Sequence, residues 1–363
     1  MNILPAHGCG NPVWMPPSIK PQHALLLALL LLSGCQAGYY GHLARGHLDL
    51  MSSRQPVERV LAGSSLTGHQ RTLLTLSDEL LAFAADELAL PAERVYRHYV
   101  ALEQDWVVWN LFAAPRYSLT PHSWCYPVAG CAGYRGFYTR SRADREQRRL
   151  EAQGLEVYGA GAIAYSTLGW FRDPLTSAML QGDDLWFAEL LFHELVHRRF
   201  YLKGDTRFNE SLATAVAREG VRRWLAVHGE PARMQVLAER DQARALFLAL
   251  VGGTREALQA LYGSGVDEPQ MRAGKAAIIA RLRHDYAEAS QRQPGLAAYR
   301  EWFDGPLNNA QLNMVSDYHD QVPLFDVALL ECGGDWSCFW REVKRLSRLP
   351  AAQRAALNET LHD

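Results

Sequence analysis

The sequence predicts a mainly helical α+β fold, with a small β-sheet region packed beside a helical half. Three observations carry this. Apolar residues recur at helical spacing in several long stretches. The segments 106–115 and 155–170 have the aromatic, β-branched and glycine composition of strands. From about residue 185 onward nearly everything reads as helix. With 363 residues, 48% of them apolar, the chain can bury a sizeable core as one large domain or two modest ones.

Taken in order, the first feature is the unbroken apolar run 24–32, preceded by Lys20. A bilayer-spanning helix needs about 20 apolar residues, so this run is short for a span but suits the core of an export signal. Leu32-Ser33-Gly34-Cys35 resembles a bacterial lipobox, in which Cys35 is lipidated and becomes the first mature residue. A plain secretory signal cleaved nearby is the alternative. Residues 1–35 are therefore read as a lipoprotein signal peptide, with Met15 as an alternative start, and 36–363 as the functional domain. A sub-division near residue 176 would separate a mixed α/β half from a helical half. In the sorting rule known for such lipoproteins, Gln36 favours the outer membrane. The expected location is the bacterial envelope, lipid-anchored through Cys35 and facing the periplasm.

Export places the remaining cysteines in an oxidising compartment. With Cys9 upstream of Met15 and Cys35 lipidated, Cys125, Cys131, Cys332 and Cys338 are left, as two C-x5-C pairs around turn-prone stretches. Local pairing is the simplest of three connectivities, each small loop contributing about 2 kcal/mol. Free buried thiols are the bland alternative, and the spacing is wider than zinc ribbons use.

Leu73, Leu74, Leu76, Leu80, Leu81, Phe83 and Leu88 predict a helix over 69–90, and Pro91 fits the first turn of another. Residues 106–115 predict a strand ending at Pro115. The charged stretch 141–153 predicts a helix stopped by Gly154, after which strand character returns with glycines that permit close backbone approach. Arginines in 140–149 and 218–223 read as solvated helix faces. A net charge of -2 leaves no nucleic-acid footprint.

Chemistry enters at His193-Glu194-Leu195-Val196-His197. On a helix, residues four apart share a face with β-carbons about 6 Å apart, so both imidazoles can reach one metal ion. Glu194 points aside, where it can hold a water at that metal. The apolar residues Leu185, Phe187, Leu190 and Leu191 lead into the motif, and Gly204-Asp205 is read as the stop. Asp205 or Thr206 caps a second helix from about Arg207, with Glu210 one turn into it. At about 1.5 Å per residue, His197 and Glu210 both lie within roughly 10 Å of the reversal. Zn2+ held by His193, His197 and Glu210 is the expected centre, with Asp205 as the alternative third ligand.

The stretch 193–220, with Asn209-Glu210-Ser211-Leu212-Ala213 downstream of the motif, resembles a bacterial family of predicted aminopeptidases. The NExxA element is also similar to that of gluzincins. The resemblance extends through 120–138, 164–175 and the segments near 308–325. It implies a zincin-type helical active-site half and a zinc metallopeptidase. One departure stands out: gluzincins place the third ligand farther along, near Val216 here, whereas Glu210 follows His197 after only twelve residues.

Such chemistry needs Glu194 as general base toward water and a second electrophile for the oxyanion. By resemblance, Tyr318 and His319 are the candidates. Ala162, Ala164 and Tyr165 are the candidate edge strand for an extended peptide substrate. Arg135 is a further pocket candidate. Gluzincin aminopeptidases hold the substrate ammonium with a glutamate in a segment this chain lacks. Asp173, Asp183, Asp184 and Glu189 read as caps or surface residues. An envelope endopeptidase and a non-catalytic metal-binding or scaffold lipoprotein are the alternative readings.

Overall fold

The computed structural model describes residues 38–126, 130–164 and 172–361. The leader 1–35 with Cys35, Gln36 and Tyr165 lie outside the described residues. The chain divides into two units, 1–48 and 49–363, so position 176 falls inside the second. In the first unit, residues 38–48 are helical. Among the described residues no helix is long and apolar enough to cross a membrane.

The second unit is a mainly helical α+β structure with three small sheets among the described residues. Its opening helices are α1 (Val57–Ala62) and α2 (Gly68–Glu87). Thr67 and Gln70 close a capping box at the start of α2. Leu73, Leu74, Ser77, Leu80, Leu81 and Ala84 then recur every three or four residues and are buried. Pro91 starts no helix. Ala89, Arg94 and Tyr96 all take positive φ there, so the chain turns instead of coiling. It then enters a sheet of β1 (Gln55–Pro56), β2 (His98–Val100) and β8 (Leu175–Thr176).

The main sheet has the order β6-β3-β7, with β3 (Val108–Pro115) central, β6 (Tyr134–Phe137) on one side and β7 (Leu155–Ala162) on the other. All pairs are antiparallel, from Val108 opposite Ala162 to Pro115 opposite Leu155. Helix α3 (Arg140–Glu151) buries Ala143 and Leu150 and stops before Gly154, whose φ is +82°. Phe112 and Ala114 meet Ala310 and Met314 of the later helix Asn309–His319. The alternation of strand side chains thus brings the β region against the helical half. A hairpin of β4 (Trp124–Tyr126) and β5 (Gly130–Ala132) pairs Cys125 with Cys131, and those two form a disulfide. Cys332 and Cys338 form the second.

The helical half runs α4 (Asp184–Arg199), α5 (Thr206–His228), α6 (Pro231–Tyr262), α7 (Glu268–Arg292), α8 (Asn309–His319), α9 (Val322–Glu331), α10 (Trp336–Leu346) and α11 (Ala351–Glu359). Its main core joins α2, α4, α5, α9 and α10. Phe192, Leu195, Phe208, Leu212 and Phe325 are fully buried within it. Each such side chain contributes about 1.5–3 kcal/mol, which pins α4 and α5 on both sides of their polar face. A second core, built on Phe247, Val251, Leu258 and Leu282, joins α6 to α7.

Helix α4 ends at Arg199, short of the expected Gly204-Asp205 stop. Phe200 turns to extended backbone, and its ring packs 6.0 Å from Phe208 of α5. An apolar side chain with a core site across the turn outweighs one more helical turn.

Candidate active site

Most of the surface of α4 is apolar and buried, which leaves one polar stripe. Asp183 caps the helix by accepting from the Trp186 N–H at 3.0 Å. His193 and His197 stand one turn apart on the stripe, with Nε2 atoms 3.2 Å apart. Their side chains are 15% and 9% exposed, so the pair is nearly out of water.

The third group is delivered by the turn 200–205. The Asn209 carboxamide closes it with two bonds, accepting from the Leu202 N–H at 2.7 Å and donating to the Leu202 carbonyl at 2.8 Å. One Asp205 oxygen accepts from the Phe208 N–H at 3.0 Å and caps α5. The other pairs with the deeply buried Arg354 of α11. Gly204 takes φ +81°, and the hairpin sits on it: a Cβ at Gly130 would lie 2.9 Å from the Gly204 nitrogen. Glu210 then starts the second turn of α5, with its Oε2 3.1 Å from His193 Nε2 and 3.5 Å from His197 Nε2.

These three residues form the one metal-ligand group found among the described residues, with donor atoms all within 4.8 Å of one another. Asp205 is spent on its cap and ion pair. The three separations of 3.1, 3.2 and 3.5 Å fit a common ion. Donors bonded tetrahedrally at about 2.1 Å lie about 3.4 Å apart. The donor chemistry agrees, since three lone-pair atoms converge on one point. Burial works to raise the Glu210 carboxyl, but His197 and His193 outweigh it and hold it below the ordinary carboxylate range. Burial works to lower His197, and the Glu210 and Glu194 charges raise it.

Glu194 is 8% exposed. Burial raises its carboxyl above the ordinary range against the pull of His197 and His193, and Glu210 and Asp173 add to the rise. A carboxyl moved upward in this way exchanges its proton closer to neutral pH. A buried network lies near it. Asp173, 1% exposed, pairs with Arg198 at 3.4 Å, and its carbonyl accepts from the Tyr96 N–H at 3.0 Å. Burial pushes the Tyr96 hydroxyl well above the tyrosine range, with the Glu194 charge next in weight. Asp173 is therefore no surface residue, contrary to expectation. Asp183 is the cap expected of it, and Glu189 pairs with Arg244.

Of the two oxyanion candidates, Tyr318 lies against the cluster. Its ring stacks on His193 at 6.0 Å and 19°. The Glu210 charge and then burial hold its hydroxyl protonated, so it can donate. His319 is half-buried on the same turn near Arg244 and Arg218, pushed down to about 3 by desolvation and by those charges. Asp317, one residue earlier, is raised to about 6, chiefly by burial. Arg135 is tied to Glu146 of α3 at 3.3 Å. Ala162 ends the edge strand β7, where its carbonyl accepts from the Val107 N–H. Ala164 packs against the core that contains α4.

The sequence reading missed Tyr96, Arg198 and Asp317 and gave Asn209 no task of its own. Asn209 had a legible signal, an amide directly before Glu210 in a turn-to-helix junction. Tyr96 and Asp317 had none, because their significance is burial.

A nearly buried His-His-Glu cluster beside a buried glutamate, on two paired helices, defines a protein geometrically able to bind a metal ion next to a buried carboxylate. Residues 38–357 match the family described as "Putative aminopeptidase", and the chain belongs to that family. Membership supports peptidase activity in general. No curated protein and no solved structure matches the chain.

Proposed function

We propose that the protein is a zinc-dependent aminopeptidase of the bacterial envelope, anchored through a lipid on Cys35. The observation that carries the catalytic reading is the convergence of His193, His197 and Glu210 within 4.8 Å, directly beside buried Glu194. Two imidazoles and a carboxylate suit zinc and leave a position open, whereas structural zinc sites are usually closed by four protein ligands.

When bound, zinc supplies Lewis acidity, which activates water and polarises the scissile carbonyl. Glu194 takes the proton from the attacking water and delivers it to the leaving amine. The Tyr318 hydroxyl donates to the oxygen that gains charge, and neutral His319 supports that turn of α8. The edge of β7 at Ala162 holds the extended peptide by strand addition, with Ala164 and, outside the described residues, Tyr165 as the further residues that reading assigns to substrate.

Elemental analysis of the purified protein, with His193→Ala and Glu210→Ala beside it, tests the centre. About one zinc per chain, lost in both variants, is expected alongside hydrolysis of free-amine peptides. A well-folded parent that takes no metal when zinc is supplied would refute the proposal. Labelled-lipid incorporation that survives Cys35→Ala would refute the anchor.

A further inference from the structure

The Cys125–Cys131 disulfide ties together the hairpin that bears on the turn before Glu210. β4 and β5 pair over three positions only: Trp124 opposite Ala132, Cys125 opposite Cys131 and Tyr126 opposite Gly130. A two-stranded ribbon this short has little stability of its own in water. Buried Trp124, with the His122 ring edge-on at 4.6 Å, anchors one end of it. At the other end Gly130 takes φ +81° and lies against the turn. A Cβ there would come within 2.9 Å of the Gly204 nitrogen and 3.0 Å of Lys203 Cγ. The disulfide is the middle rung, and so the covalent tie between the anchored end and the end that meets the turn.

Among the described residues the two disulfides differ in access. Cys125 and Cys131 are both exposed, whereas Cys332 and Cys338 are half-buried. Exchange begins when a thiolate reaches a disulfide sulfur, so exposure selects the hairpin pair. The turn is also incompletely packed, since Cys131, Gly204 and Asp205 line a cavity of about 430 Å³. Released by the hairpin, the turn has space to move into, and Glu210 stands in the helix that begins directly after it.

We propose that Cys125–Cys131 is a dithiol-exchange site whose oxidation state sets the metal affinity of the His193, His197 and Glu210 centre. The co-reactant is a dithiol reductant. One of its thiolates attacks a hairpin sulfur and displaces the other as a thiolate, and its second thiol then resolves the mixed disulfide. Two electrons and two protons pass to Cys125 and Cys131, and the dithiol leaves as its own disulfide. With the rung open, Gly130 no longer fixes Gly204, and the turn delivers Glu210 less firmly. This rests on the metal reading of the centre and adds a regulation of it.

The test treats full-length protein with limiting dithiothreitol, caps free thiols with iodoacetamide and removes both reagents before zinc is titrated. Mass spectrometry should find the caps on Cys125 and Cys131 before Cys332 and Cys338. In that state the dissociation constant for zinc should rise by about fivefold, under a ceiling of about thirtyfold set by the entropic worth of so short a bridge. Cys125→Ser with Cys131→Ser should show the same weakening and no further response to dithiothreitol. Cys332→Ser with Cys338→Ser should respond as the parent does. Gly130→Ala, which pushes on Gly204 with the disulfide intact, should weaken zinc binding in the oxidised protein and covers the case in which the double serine variant fails to fold. A rise below about twofold in the capped parent overturns the inference, as does capping of Cys332 and Cys338 first. Hydrogen exchange separates this from failure of the metal reading. If the parent takes no zinc while reduction speeds exchange in residues 200–205, the metal reading falls and the hairpin's hold on the turn stands. If zinc binds and exchange in those residues is unchanged by reduction, the exchange site falls.

Discussion

Replacing Asp205 by alanine separates the role of the interhelical turn from that of the metal ligands. Asp205 does two things: it caps α5 through the Phe208 N–H, and it neutralises Arg354, whose side chain is 3% exposed. Loss of the cap costs about 1 kcal/mol. Stranding a buried cation costs about 3–5 kcal/mol, and the lower figure applies because Arg354 keeps the Leu349 carbonyl and lies 5.0 Å over the Phe208 ring. Together these give about 4 kcal/mol. With an unfolding entropy of about 2.1 cal/mol/K per residue, a unit of this length should melt about 6 °C lower. The substitution Asp205→Asn keeps the capping oxygen and removes the charge, so that variant should lose about 3 kcal/mol. Urea titration gives the stabilities, and metal content in the same samples reports on Glu210, which lies in the second turn of the helix that Asp205 starts. Metal affinity should fall in both variants, more in the alanine. Stability within about 1 kcal/mol of the parent for Asp205→Ala would refute the reasoning. Abolition of metal binding with stability intact would instead make Asp205 a ligand.

Glu194→Gln should retain the metal and lower kcat by about 10²–10⁴-fold, as loss of a general base does; a loss under fivefold in steady-state assays would remove Glu194 from that role. Asn209→Ala opens two hydrogen bonds across the turn at about 1 kcal/mol each, and equilibrium dialysis should show weaker metal binding than in the parent. Cys125→Ser with Cys131→Ser should cost about 2 kcal/mol in denaturant titrations and loosen the hairpin that rests on Gly204. The folded value of about 6 for Asp317 exceeds its ordinary 3.8, so the folded state binds that proton more tightly. Its contribution to stability is then present below about pH 4 and is lost as pH rises through about 6, by up to about 3 kcal/mol. Asp317→Asn should remove that part of the slope when urea stabilities at about pH 4.5 and about pH 7.5 are compared.

The parts of the molecule legible in the sequence are those set by local periodicity. The helix over α2, the strand over β3, the charged α3 stopped by Gly154 and the placement of His193 and His197 on one face all follow from spacing and end signals. Glu210 was legible as a residue, and its approach to the histidines needed only a tight reversal. What failed was decided across the chain. Phe200 leaves the helix because Phe208 offers it a core site. Pro91 starts no helix because the turn around it leads into a sheet with β1 and β8. Asp173 reads as polar and exposed until Arg198 and the carbonyl bond to Tyr96 enclose it.

The shorter spacing between His197 and Glu210 has a structural consequence. A long connection could let the third ligand find the metal by its own flexibility, whereas this one leaves a six-residue turn with little freedom. Its shape is fixed by groups from elsewhere: the Asn209 clamp within it, Arg354 from α11 on Asp205, and Gly130 of the hairpin against Gly204. Ser211, next to Glu210, adds a further tie, donating to the Asp317 carbonyl and accepting from the Gln321 N–H. The histidines depend only on their own helix. Glu210 depends on the hairpin, on α8 and on α11. Substitutions that weaken the metal site without touching it should therefore cluster in those elements, and the apolar core of α4 and α5 should tolerate volume-conserving changes with less effect on the metal.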